Sequence, residues 1–91
     1  SVKMGDVNDD GNLDLIVSNY SGNTVSILLG NGNGSFQAAV SYNVGFGPQS
    51  VAIGDIDGDS NLDLAVANYY GYDVSVILGN GDIFYLYPLD I

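Results

Sequence analysis

The sequence predicts an all-β fold, and three observations carry that prediction. Apolar residues alternate at period two in short runs, turn residues punctuate the chain every few positions, and one whole unit is written twice. Shifting the 91-residue chain by 49 positions lays residues 1–33 over 50–82 without gaps, and more than half of those positions are then identical. "SVKMGDVNDDGNLDLIVSNYSGNTVSILLGNG" sits over "SVAIGDIDGDSNLDLAVANYYGYDVSVILGNG". A helical reading fails, because Gly, Asn and β-branched residues recur too often.

Each unit resolves into four strands. "SVKMG" and "SVAIG" are short apolar segments that lead into an acidic loop. "LDLIVSN" and "LDLAVAN" follow, placing Leu13, Leu15 and Val17, and likewise Leu62, Leu64 and Val66, on one face. "SGN" (21–23) and "GYD" (71–73) have turn chemistry. "TVSILLG" and "DVSVILG" then alternate again through Val25, Ile27, Leu29 and Val74, Val76, Leu78. "FQAAVSYNV" (36–44) supplies a fourth strand to the first unit, and "GFGPQ" (45–49) joins the two units. In the second unit residues 83–87 are expected to be the fourth strand, with Pro88 ending it or marking an edge. Ile83, Tyr85, Leu86 and Tyr87 make it bulkier than its counterpart, which suits a cap or a contact with another chain.

The opposite faces carry Ile16, Leu28, Ala65, Ala67 and Ile77, so the strands are expected to be covered on both sides. Four antiparallel strands covered on both faces and repeated along the chain describe a β-propeller blade. The prediction is about two such blades, residues 1–49 and 50–91. A closed propeller needs about 4 to 8 blades. The chain is therefore expected to be a fragment of a longer array, as its start directly in a strand also suggests; the other route is a ring completed by homo-oligomerisation.

Composition narrows the partners. All eleven acidic residues are Asp, and a single cation, Lys3, opposes them, for a net charge of −10. A chain with no cationic face is not expected to bind nucleic acid or an anionic membrane surface. No apolar stretch approaches the roughly 20 residues of a membrane-spanning helix. The absence of Cys excludes disulfides, thiolate metal sites and Cys nucleophiles. The favoured partner is a cation.

The acidity is concentrated in two loops, "DVNDDGNLD" (6–14) and "DIDGDSNLD" (55–63). Side-chain oxygens fall at loop positions 1, 3, 5 and 9, which are Asp6, Asn8, Asp10 and Asp14 in the first loop and Asp55, Asp57, Asp59 and Asp63 in the second. Alternate residues of a curled loop point inward, and the backbone carbonyl at position 7, Asn12 or Asn61, is the next inward oxygen. A set of hard oxygen donors suits Ca²⁺, whereas Mg²⁺ needs a smaller octahedral cage and Zn²⁺ prefers nitrogen and sulfur. An EF-hand shares the opening of the motif but needs a bidentate Glu at position 12 between two helices. Position 12 is Val17 or Val66, inside a strand, so that reading falls.

Spacing, flanking strands and repetition together resemble the FG-GAP or VCBS-type repeats of integrin-α-like β-propellers, with signature D-x-[DN]-x-[DN]-G-x-x-D-L. The likeness extends to "SVAIGD" before the loop, "LDLAVAN" after it and "LGNGNGSF" later in the blade, and covers nearly all of the chain up to Asp82. It implies a loop joining the first two strands of each blade and holding Ca²⁺. It also implies two calcium sites, on Asp6, Asn8, Asp10, the Asn12 carbonyl and Asp14, and on Asp55, Asp57, Asp59, the Asn61 carbonyl and Asp63. The second loop departs from the pattern at position 6, where Ser60 replaces Gly11. If that position needs positive φ, the replacement costs about 1 kcal/mol. Asp9 falls at an even position and is expected to face solvent.

The metal's expected role is structural. Without His, Cys, Glu or Arg, and with the aspartates committed to a cation, the chain is not expected to be an enzyme. Calcium affinities of extracellular modules, about 10⁻⁴ to 10⁻³ M, and the family likeness both imply an extracellular or cell-surface setting and an adhesion or ligand-binding role. Tyr69, Tyr70 and Tyr72 cluster at one turn, with Tyr20 equivalent to Tyr69. They either cover strand ends between blades or present a rim for a protein or glycan ligand, the second giving a lectin-like propeller.

Overall fold

The computed structural model describes residues 1–79 and the backbone of 84–87. Among the described residues the chain is all-β, with two four-stranded antiparallel sheets, each of which meanders from strand to adjacent strand. The first comprises β1 (Val2–Gly5), β2 (Asp14–Asn19), β3 (Thr24–Leu28) and β4 (Val40–Asn43). The second comprises β5 (Pro48–Gly54), β6 (Asp63–Asn68), β7 (Asp73–Gly79) and β8 (Phe84–Tyr87). Two sheets of propeller-blade type are what the repeat predicts. The expected strand over 36–44 is shorter than expected. Only Val40–Asn43 pair along β3, and Phe36 makes an isolated bridge to Gly30. The proposed roles of Ile83 and Pro88, and of the side chains of Tyr85, Leu86 and Tyr87, lie outside the described residues.

Register decides which face of each blade is which. Ile16 pairs with Ile27, and Ser18 with Val25, which pairs in turn with Tyr42. These residues therefore share one face of the first blade. Val51 pairs with Val66, and Leu64 pairs with both Ile53 and Ile77, on one face of the second. The core lies between these two faces. Val7, Ile16, Val25 and Ile27 from the first blade meet Val51, Leu64, Val66 and Ile77 from the second, with Leu29, Tyr42, Val44 and Ile53 packed around them. Fully burying such an aliphatic side chain stabilises by about 1.5–3 kcal/mol, so this seam dominates the packing.

In β2 the face expected to be apolar is thus not the buried one, whereas in β3 the expected Val25 and Ile27 are buried. Leu13 is exposed, Leu15 and Val17 are half-buried, and it is Ile16 between them that is sealed. In the second blade the equivalents of Leu15 and Val17, Leu64 and Val66, are fully buried. The two blades use opposite faces because they stack like plates, the front of one on the back of the other. Among the described residues the expected cover is fullest on the inner faces; on the outer face of the second blade Val76 is also buried, while Ala65 and Val74 are half-buried.

Both β-turns between the second and third strands close in the same way. Asn19 donates its amide to Thr24 Oγ1 and Ser26 Oγ, and Asn68 donates to Asp73 Oδ1 and Ser75 Oγ. The last turn residue, Asn23 or Tyr72, takes positive φ in each. The segment between the blades is held by both turns. Val44 N–H donates to the Asn23 carbonyl and Gly47 N–H to Asn23 Oδ1, while Tyr69 N–H donates to the Gly47 carbonyl and Tyr70 N–H to that of Phe46. Gly47 sits at φ 65°, and a Cβ there would lie 2.8 Å from the Tyr70 ring. No other residue fits that position without displacing the ring.

Candidate metal centres

Each acidic loop runs from the end of its blade's first strand to the start of the second, and its carboxylates organise its own backbone. Asp6 accepts from the N–H groups of Asp10 (3.1 Å) and Gly11 (2.8 Å). Asp55 accepts from Gly58, Asp59 and Ser60. Asp10 and Asp59 each accept from the N–H two residues on, at Asn12 and Asn61, both at 2.9 Å. These bonds curl the loops so that alternate side chains converge. One carboxylate oxygen from each of Asp6, Asp10 and Asp14 lies within 4.8 Å of the others, and the same holds for Asp55, Asp57, Asp59 and Asp63. Asn8 lies among them, and with its amide oxygen and nitrogen exchanged it donates to Asp6 Oδ1 (3.2 Å) and Asp10 Oδ1 (3.0 Å).

Position 9 differs from the rest. Asp14 and Asp63 are fully buried, and each anchors the loop to the blade. Asp14 Oδ2 accepts from Val7 N–H at 2.9 Å and Oδ1 from Gly30 N–H at 2.8 Å. Asp63 repeats this with Ile56 and Gly79, both at 2.8 Å. Gly30 is required for that approach, because a Cβ would collide with the Leu13 carbonyl oxygen. A carboxylate oxygen accepts more than one bond, so these anchors keep capacity for an ion. This bracing role is not visible in a ligand pattern; the Gly that recurs at positions 30 and 79, just past the third strand's apolar run, was its signal.

Electrostatics separate the members. The Asn12 N–H holds the Asp10 carboxyl below its usual value, and the Asn61 N–H does the same for Asp59. Asp57 moves the other way, raised by desolvation within the loop and then by the neighbouring Asp59. The charges of Asp59 and Asp63 add to the desolvation, and a cation is the ordinary remedy for such crowding. No cationic side chain is available, since Lys3, the only Lys or Arg, lies on β1 outside either ligand group. The donor set, oxygen only with three or four carboxylates, fits a hard divalent ion.

Two loop positions take left-handed backbone. Position 6 is Gly11 (φ 85°) in one loop and Ser60 (φ 71°) in the other, so the serine does occupy a glycine-favouring conformation. Position 4, which spacing did not single out, behaves alike, with Asp9 at φ 59° and Gly58 at φ 78°. Asp9 is exposed, as expected, and borders a small cleft between the two loops with Asp6, Ser60 and Asn61.

The tyrosines divide. Tyr70 stacks obliquely on Tyr20 of the first blade (centroids 5.6 Å apart) and edge-on to Tyr69 (5.2 Å), so it bridges the blades. Tyr69 and Tyr72 instead line an open groove of ≈ 560 Å³ with Gln49, Ser50, Asp73 and Val74. Tyr72 is 90 % exposed.

With this geometry in view, comparison with protein families matches residues 6–66 to the FG-GAP-like repeat and residues 47–86 to the FG-GAP repeat. The first match alone covers more than half of the chain, which therefore belongs to the FG-GAP-like repeat family. No curated protein and no solved structure matches it significantly.

Proposed function

We propose that the chain is a calcium-binding propeller-repeat module in which each acidic loop holds one Ca²⁺ and the ion stabilises its blade. The observation that carries this reading is the convergence, in both repeats, of carboxylate oxygens within 4.8 Å of one another with no cationic side chain among them. Asp6, Asn8, Asp10 and Asp14 would hold one ion, with the Asn12 carbonyl, and Asp55, Asp57, Asp59 and Asp63 the other, with that of Asn61. Asn8 would present its amide oxygen rather than its nitrogen. The ion supplies charge neutralisation and a cross-link. The backbone bonds to Asp14 and Asp63 supply the frame.

The role is structural rather than catalytic, since no His, Cys, Glu or Arg accompanies the aspartates. Ions bound at the affinity of extracellular modules load in millimolar calcium, so this reading sets the protein at the cell surface or outside the cell, in an adhesion or ligand-binding protein. Binding to the folded state alone adds about 2.7 kcal/mol at a hundredfold excess over Kd. The melting temperature with Ca²⁺ should exceed that with excess chelator. Equal values would overturn the proposal.

A second reading, a glycan-binding groove, is favoured by the aromatic pair Tyr69 and Tyr72 beside Gln49 and Asp73. A glycan array that loses its signal with Tyr72→Ala, a substitution at an exposed turn, would support it, and unchanged signal would remove it.

A further inference from the structure

The connection from β3 to β4 begins "GNGNGS" (30–35) and holds two Asn-Gly dipeptides, Asn31–Gly32 and Asn33–Gly34. Glycine after asparagine leaves the intervening backbone nitrogen unshielded, because it has no Cβ. That nitrogen can close a five-membered ring on the asparagine's own side-chain carbonyl carbon. The structure treats the two asparagines differently. Asn33 Oδ1 accepts from Ser35 N–H at 3.0 Å and from the Ser35 hydroxyl at 2.6 Å. Asn31 is held the other way round: its Nδ2 donates to Ser35 Oγ and its N–H to the Ser35 carbonyl, both at 3.0 Å. No described residue donates to Asn31 Oδ1.

These bonds form a relay with one direction. Asn31 Nδ2 donates to the Ser35 hydroxyl, which donates onward to Asn33 Oδ1, and each bond polarises the next. Attack on Asn33 Cγ puts negative charge on Oδ1, where two donors already stand at the distance that stabilises an oxyanion. Gly34 N–H makes no hydrogen bond to a described residue, and nothing lies within 4 Å of its Cβ position, so the nucleophile is free and the turn has room. Gly32 N–H is likewise unbonded, but Gly32 presses on the acidic loop, where a Cβ on it would collide with Asn12 Oδ1. The two Asp-Gly pairs of the loops are restrained, since Gly11 N–H donates to Asp6 at 2.8 Å and Gly58 N–H to Asp55 at 2.9 Å. Asn80–Gly81 lies outside the described residues.

We propose that Asn33 is a site of spontaneous modification, converted through a cyclic succinimide to aspartate and isoaspartate, with Ser35 as the activating group. Gly34 N gives up its proton to hydroxide or water and bonds to Asn33 Cγ. The Cγ–Nδ2 bond breaks, and Nδ2 takes up a proton and leaves as ammonia. Water then opens the ring, at Cγ to give aspartate or at the main-chain carbonyl carbon of residue 33 to give isoaspartate. One water enters and one ammonia leaves, and nothing is oxidised or reduced. The product adds a negative charge to the turn, and the isoaspartyl form also lengthens its backbone by one methylene. This goes beyond the calcium reading and does not rest on it.

The test ages the full chain in warm, mildly alkaline buffer and follows each asparagine by mass spectrometry of the chymotryptic peptides that end at Phe36. Asn33 should convert about tenfold faster than Asn31 or more, the difference that one hydrogen bond to a developing charge supplies. Isoaspartate should appear beside aspartate at position 33, and aspartate alone would overturn the cyclic route. Ser35→Ala should slow conversion of Asn33 by about tenfold, whereas Ser35→Thr, which keeps the hydroxyl, should leave it near the parent rate. Ser35 is exposed, so circular dichroism should show both variants folded. In urea the preference for Asn33 should vanish, because both asparagines then precede glycine in an unstructured chain. Equal rates at Asn31 and Asn33 in the folded protein, a preference that survives urea, or a parent-like rate in Ser35→Ala would each overturn the proposal.

Discussion

Asp14 Oδ1 accepts a hydrogen bond from the backbone N–H of Gly30 at 2.8 Å, fastening the ninth position of the acidic loop to the far end of the third strand. Its other oxygen holds Val7 N–H. Asp14→Asn keeps the shape but replaces one acceptor by a donor, which leaves a buried N–H unsatisfied at a cost of about 1–3 kcal/mol. Urea denaturation should show that loss with chelator present as well as with Ca²⁺. A loss seen only with Ca²⁺ would reduce Asp14 to a ligand.

Asp10 contrasts with it. It is exposed and its bonds stay within the loop. Asp10→Asn should remove most of the calcium-dependent rise in melting temperature at that site and change the chelated protein little. Asp9→Asn, one residue earlier on the outside of the curl, should leave the calcium response nearly intact. Calorimetric titration of both variants checks the pair.

Ser60 adopts φ 71°, where an L side chain is strained. Ser60→Gly relieves that strain against some loss of chain entropy on folding, with an expected net gain of roughly 0.5–1 kcal/mol. Gly11→Ser should lose a similar amount. Thermal melts in chelator isolate this backbone effect from ion binding.

The Tyr20 phenol is pushed up to about 12 from an ordinary 10.0, first by its hydrogen bond with Tyr70 and then by desolvation. Because the folded value is the higher one, the stabilisation is complete below pH 10 and is lost as pH rises toward 12. Tyr20→Phe should flatten stability across that alkaline window, and absorbance at the tyrosinate band should lose its latest-titrating component. An unchanged alkaline limb would mean that the Tyr20–Tyr70 contact carries no linkage.

Val7 and Ile56 occupy the same loop position and differ by one methylene, yet one is buried and the other is not. Val7→Ala should therefore cost more than 1 kcal/mol through lost burial and packing. Ile56→Ala should cost under about 0.5 kcal/mol in the monomer. Equal losses at the two sites would contradict the packing.

That pair also shows where sequence reading stops. The strands, the turns and the spacing of the loop carboxylates are local, and a second copy 49 residues on makes each of them legible. Burial is not local. Leu15 and Leu64 sit at matching positions of matching strands, and the position of the other blade distinguishes half-buried from sealed. Apolar residues on both faces of β2 left its inner face undecided by alternation. The left-handed turn at position 4 was masked because one copy places Asp9 there, which suggests an outward acidic residue, and only Gly58 in the other copy hints at a backbone demand. The double bond of Asp14 to Val7 and Gly30 was hidden for another reason: a carboxylate that braces a loop and one that binds an ion are the same letter.

Positions 4 and 6 of the loops hold a further consequence. One loop has Asp9 with Gly11, the other Gly58 with Ser60, so each bears a single side chain in left-handed backbone. Converting either loop sequence into the other one residue at a time requires an intermediate with two glycines or with none. The glycine-free intermediate doubles the strain, whereas the double-glycine one relieves it. Between the two sequences the low-barrier mutational route is thus directional in order: the residue must be given up at one position before its counterpart is taken on at the other.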